Sequence, residues 1–165
     1  MTQWWRFGVR NSGTKAKPAR KLRAVVDTNV FISGLFGKGT LAAELQDLWI
    51  AQEFELVTSL EILREVSRVL HYPRIQQRFQ PREETLRRFF HLVFRKAIIT
   101  KDMYMTDRLT TDPTDNKFLA CALEGSADYI VSRDPHLLNL KYFQGMQIVD
   151  VKSFVEQVRK SREQR

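Results

Sequence analysis

The sequence is nearly without cysteine, and it has no long apolar run. A single cysteine, Cys121, excludes a disulfide framework and a Cys-rich zinc site. No apolar stretch approaches the roughly 20 residues needed to cross a bilayer. The N-terminus is basic, but no apolar stretch of about 7–15 residues follows it, so no secretory signal is expected and the cytoplasm is the expected compartment. Internal repeats are absent, and so is any linker after residue 24. The Gly-x-Ser-x-Gly elbow, the Walker loop and the dinucleotide fingerprint are missing too. His71, His91 and His136 show no metal-ligand spacing. What is present is ordinary for one globular domain: 165 residues, 43% hydrophobic and 28% charged.

The net charge of +8 resembles a nucleic-acid signal until it is located. Residues 1–23 hold seven basic side chains and no acid, and residues 159–165 hold four basics and one acid. The body, 24–158, has 16 basics and 18 acids, a net of −2. The sequence therefore divides into a basic extension (1–22), a domain (23–158) and a basic tail (159–165). The extension suits either a solvated, flexible segment or a sequence-independent phosphate contact. Trp4, Trp5 and Phe7 add a capacity to stack on bases or to pack on a protein surface.

Short strands are expected at Leu22–Val26, Phe54–Thr58, Ala97–Ile99, Tyr129–Val131 and Gln147–Val149. Helices are expected after Thr40 (to about Gln52), after Ser59 (to Tyr72-Pro73), from Pro81, from Asp115 to Glu124, and from Val151 to Arg159. Val30–Phe36 is apolar but interrupted by glycine. Strands alternating with helices imply an α/β sandwich with a mostly parallel sheet. Two strands are followed closely by an aspartate, Asp27 directly and Asp134 after Ser132-Arg133. Ligands of open parallel sheets bind at the carboxyl ends of strands, so these two residues are candidates to share a crevice.

Further carboxylates can join them. Asp112 and Asp115 lie at a helix N-terminus. Glu61 and Glu65 are four apart on one helix face, and Glu65 stands nearer the apolar stripe. Converging carboxylates repel one another unless they hold a hard divalent cation, for which magnesium and manganese are suited. Such an ion stabilises charge on a phosphoryl oxygen, which is the logic of a metal-dependent phosphodiesterase or nuclease. Each residue also has a structural role open to it: Asp27 as a turn residue, Asp134 as a cap, Asp115 as helix-start charge, and Glu65 as a salt-bridge partner of Arg64 or Arg68. Cys121 reads as a packed core thiol. Asp27 as a phosphoryl acceptor is disfavoured, because the Asp-Thr-Asn sequence lacks a second aspartate two residues on.

Four segments resemble the PIN domain. They are Ala24-Val25-Val26-Asp27-Thr28-Asn29-Val30-Phe31-Ile32-Ser33, Ser59-Leu60-Glu61-Ile62-Leu63-Arg64-Glu65-Val66, Asp112-Pro113-Thr114-Asp115-Asn116-Lys117-Phe118-Leu119-Ala120, and Ala127 to Leu138. Their order is similar to that of the prokaryotic, VapC-like subfamily of toxin components. The resemblance implies a three-layer α/β/α sandwich with a mostly parallel central sheet and a metal-dependent endoribonuclease activity. It assigns Asp27, Glu65, Asp115 and Asp134 to one or two Mg²⁺ or Mn²⁺ ions, and gives Thr28, Asn29, Asn116 and Ser132 supporting roles. Lys117 and Arg133 become candidate contacts to substrate phosphate; Arg133 stands where many relatives carry glycine, and pointing to solvent is the other role open to it. The implied partners are RNA, a cognate antitoxin and, in some families of this fold, a second copy of the chain. The alternative is a PIN scaffold that binds RNA or protein without cleaving.

Overall fold

The computed structural model describes residues 20–104 and 113–165. Asp112 and the aromatic residues Trp4, Trp5 and Phe7 lie outside the described residues, as does nearly all of the basic extension. In chain order the elements are β1 (Arg23–Val26), α1 (Thr28–Phe36), α2 (Leu41–Ile50), β2 (Glu55–Ser59), α3 (Leu60–Leu70), α4 (Pro73–Phe79), α5 (Glu83–Lys96) and β3 (Ile98–Thr100). A single 3₁₀ turn (Pro113–Asp115) then leads into α6 (Asn116–Glu124). Last come β4 (Tyr129–Val131), α7 (Pro135–Leu140), β5 (Tyr142–Phe143), β6 (Met146–Val149) and α8 (Val151–Glu163).

The six strands among the described residues form one sheet in the order β3-β2-β1-β4-β6-β5. Every neighbouring pair is parallel except β5 with β6. Successive strand residues point to opposite faces. Ala24, Val25 and Val26 are nonetheless all buried, so both faces of the sheet are covered by helices. On one side α6 packs on β1, β2 and β4. Elsewhere α8 packs on β4 and on α2, and its Phe154 meets Phe54, just before β2, edge-on at 5.0 Å between ring centres.

Two glycines permit close helix packing. A Cβ on Gly34 would stand 2.8 Å from the Ala42 carbonyl oxygen, so its absence lets α1 lie against α2. A Cβ on Gly125 would stand 2.2 Å from Val57 Cγ1, so only glycine lets the end of α6 close over β2.

The chain differs from the sequence expectation in several places, three of which are instructive. The glycine-interrupted run Val30–Phe36 forms a helix, because Asp27 caps it and Gly34 faces α2. Pro73 stops α3 but also opens α4, its missing N–H costing nothing at a first helical turn. Residues 159–163 continue α8 rather than forming a separate tail, with Arg159 paired to Glu44 and Arg165 to Glu53.

From β1 the chain moves outward through β2 and β3, then returns to place β4 on the other side of β1. That reversal makes the β1–β4 junction the switch point of the sheet, where a parallel sheet opens a crevice at its carboxyl end.

Candidate active site

Asp27 follows β1 at this junction. Its peptide N–H is fixed to the Val131 carbonyl oxygen of β4 at 3.0 Å. Its side chain caps α1, with Oδ1 accepting from Val30 N at 2.9 Å. Oδ2 accepts from the Ser132 hydroxyl and from Arg133 N at 3.1 Å. The carboxyl group is buried, and burial raises its pKa above the usual carboxylate value. The hydrogen bonds from Ser132, Val30 and Arg133 oppose that rise, and the nearby negative charge of Asp134 adds to it.

Glu65 projects from the middle of α3. Its Oε1 accepts from Thr28 Oγ1 at 2.7 Å, and its Oε2 accepts from Lys117 Nζ. Arg68, one turn along the same helix, lies 3.8 Å from the same Oε2. Glu61, the alternative acid of α3, is exposed; its backbone N–H donates to Asp102 Oδ2 at 3.3 Å.

Asp115 is buried at the entry to α6, and Asn116, the first residue of that helix, is buried beside it. Asp134 is half-buried and caps α7, with Oδ1 accepting from His136 N at 2.8 Å. Ser132 is fully buried and joins the two aspartates: its hydroxyl donates to Asp27 and accepts from Asp134 N at 2.9 Å. The Arg133 side chain is exposed and donates to Ser33 Oγ on α1 at 2.9 Å.

Asp27, Glu65, Asp115 and Asp134 all line one open cleft of about 280 Å³. Thr28, Asn29 and Lys117 share its wall. Ser132, Asn116 and Arg133 are not among its lining residues.

The PIN domain family model matches residues 23–136. The chain belongs to the PIN domain family. It is 26% identical over 121 residues to the uncharacterized protein MJ1680 of Methanocaldococcus jannaschii, covering 73% of this chain and 76% of that one. It is also similar in fold to PAE2754 from Pyrobaculum aerophilum, with a TM-score of 0.52 and 18% identity over 84% of this chain and 90% of that structure.

PIN domains are generally nucleases and usually use divalent metals. The donor set of this PIN domain suits such an ion in kind, since its four carboxylates supply hard oxygen ligands to one cleft. In arrangement it differs from the sequence expectation of carboxylates gathered round an ion. Among the described residues, no three His, Cys, Asp or Glu side chains stand where they could hold a metal together. The physical reason lies in their hydrogen bonds. Asp27 and Asp134 are turned to helix-capping amides, and Glu65 is turned to a hydroxyl and an ammonium. Each charge is thus met by local donors.

Arg68, Val69, Tyr72, Thr114, Phe118 and Leu137 complete the cleft wall, and of these the sequence points only to Arg68, as an ion-pair partner of Glu65. For Arg68 the signal was its spacing of three from Glu65. The pairing of Lys117 with Glu65 spans 52 residues and leaves no trace in local sequence.

Proposed function

We propose that this PIN domain is a Mg²⁺- or Mn²⁺-dependent endoribonuclease acting through Asp27, Glu65, Asp115 and Asp134. The observation that carries the reading is that carboxylates from four distant segments line one cleft at the switch point of the sheet. A divalent ion, when bound, makes water more acidic and stabilises charge on a phosphoryl oxygen. The chain's own residues prepare the cleft. Burial holds Asp27 in a fixed pose, while three hydrogen bonds favour its ionised form. Ser132 ties the Asp134 peptide to Asp27, so the two acids keep a constant spacing.

RNA as the substrate is supported by a charge pattern that the whole-body sum conceals. From Arg64 to Lys96 there are nine arginines and lysines against three glutamates, a net of +6. Arg68 of this segment reaches the cleft wall, and Arg64, Arg74, Arg78 and Arg82 are exposed. Cations on a helix-rich surface attract a phosphate backbone by releasing its counterions. A role as the toxin of a toxin–antitoxin pair, held by a cognate antitoxin in the cytoplasm, extends the proposal. A small DNA-binding reading frame beside the gene, whose product copurifies with this chain, is the outcome that supports it. A homodimer is a further part of the proposal, tested by sedimentation velocity.

The decisive assay is cleavage of RNA by the purified protein. Cleavage is expected with Mg²⁺ or Mn²⁺, lost in EDTA, and lost in Asp27→Asn. Undiminished cleavage in EDTA or in that variant would overturn the proposal. The second reading, a scaffold that binds RNA without cutting it, is favoured by the Lys117–Glu65 ion pair. It predicts salt-sensitive RNA binding with no cleavage at any metal concentration.

A further inference from the structure

Resting on the metal-dependent reading above, we propose that Lys117 is a built-in countercation that competes with the divalent ion for Glu65 and so sets the metal affinity of the site. Three observations carry it. The ammonium group of Lys117 donates to Glu65 Oε2, and the two side chains are only 10% and 19% exposed. A pair this sheltered is screened by solvent far less than a surface one. Both oxygens of Glu65 already have donors, Thr28 on Oε1 and Lys117 on Oε2. Finally, the carboxylates line a common cleft without forming a three-ligand cage among the described residues.

The consequence is electrostatic. An ammonium and a divalent cation on one carboxylate repel each other, and the repulsion is strong in a partly desolvated cleft. Binding of the ion at Glu65 therefore requires the Lys117 side chain to swing away. Its flexible four-carbon stem permits this, and its three donors are free to re-form on an incoming phosphate. In the ion-free protein the same lysine neutralises Glu65 and joins α6 to α3. Arg68 contributes less, because its nearest contact to Glu65 is longer, at 3.8 Å, and its side chain is 66% exposed.

The test is Mn²⁺ binding to the full chain, followed by electron paramagnetic resonance and calorimetry without RNA. Lys117→Gln is expected to bind Mn²⁺ about tenfold or more tightly than wild type. Lys117→Arg, which keeps the charge, is expected to stay within a few-fold of wild type. In a Glu65→Gln background, Lys117→Gln is expected to change the affinity by less than about twofold, because the competition acts through Glu65. Lys117→Met provides a second uncharged variant in case the first fails to fold. If wild type binds Mn²⁺ and neither uncharged variant binds it more tightly, the countercation proposal is overturned while the metal-dependent reading stands. If no variant and no wild-type protein binds Mn²⁺, the metal-dependent reading itself falls, and this inference with it.

Discussion

Ser132→Ala tests whether a single hydroxyl keeps the Asp27 carboxylate charged inside the protein. Ser132 is fully buried, and its hydroxyl donates to Asp27 Oδ2 while accepting from Asp134 N at 2.9 Å. A hydrogen bond to an ionised group contributes about 1.5–3 kcal/mol, and leaving its partner buried without it costs a similar amount. The expected loss at neutral pH is therefore about 2–3 kcal/mol. For a domain of this length that is a fall in melting temperature of roughly 4–12 °C.

The loss must also depend on pH, in a direction fixed by linkage. The folded-state pKa of Asp27 is raised by burial, so the native state holds its proton at pH values where the unfolded chain has released it. Stability then falls as pH rises from the unfolded value through the folded one, and levels off above it. The Ser132 bond opposes that rise, so removing it pushes the folded pKa higher and extends the fall. The destabilisation by Ser132→Ala is thus expected to be larger at pH 7 than at pH 4, because the lower pH favours the protonated form of Asp27 in both proteins. Urea titrations of both proteins at the two pH values measure it. An equal loss at both would show that the hydroxyl acts by packing alone, and a loss under about 0.5 kcal/mol at pH 7 would refute the charge argument.

Two further expectations concern the core. Gly125→Ala forces a Cβ against Val57 Cγ1, at a starting separation of 2.2 Å, and is expected to cost about 1–3 kcal/mol in urea unfolding; an unchanged midpoint would show that α6 and β2 part freely. The Cys121 thiol is buried and its pKa is pushed up to about 12, chiefly by desolvation. It is expected to resist a thiol-reactive disulfide reagent at pH 8 in the native protein and to react fully in denaturant; prompt native-state reaction would contradict its burial beneath Thr100.

The parts of the fold legible in sequence were those set by local chemistry. Ser59 and Thr40 cap helices as their hydroxyls suggested, and the strand positions followed from short β-prone runs. What escaped were features in which two local signals conflict. Gly34 reads as a break in an apolar run, yet it is a contact point between two helices. Pro73 reads as a stop, yet it serves one helix as its stop and the next as its start. One partner of Glu65 escaped for another reason. Arg68 lies one turn away, whereas Lys117 reaches Glu65 only because α6 docks beside α3, a contact that the order of the strands creates. Residues 64–96 show the limit of summed charge: the acids that cancel their basicity in the whole-body sum lie in other segments of the sequence.

Capping and catalysis are rival explanations for a strand-terminal aspartate in sequence, and the geometry makes them one arrangement. Asp27 and Asp134 each give Oδ1 to a helix N-terminus. A capping hydrogen bond fixes the carboxylate rotamer, and a charge held in a fixed pose is what a preorganised site requires. The two helices thereby aim the two acids before any substrate arrives. Alanine at either position would remove cap and charge together, and a dead enzyme would not reveal which loss mattered. Asparagine caps about as well as aspartate, so Asp27→Asn and Asp134→Asn remove the charge while keeping the α1 and α7 starts. At Asp27 the new amide also faces the Arg133 N–H, which donates to Oδ2 in the native protein. A stable but inactive Asp134→Asn protein is therefore the cleaner sign that charge, rather than helix geometry, carries the chemistry.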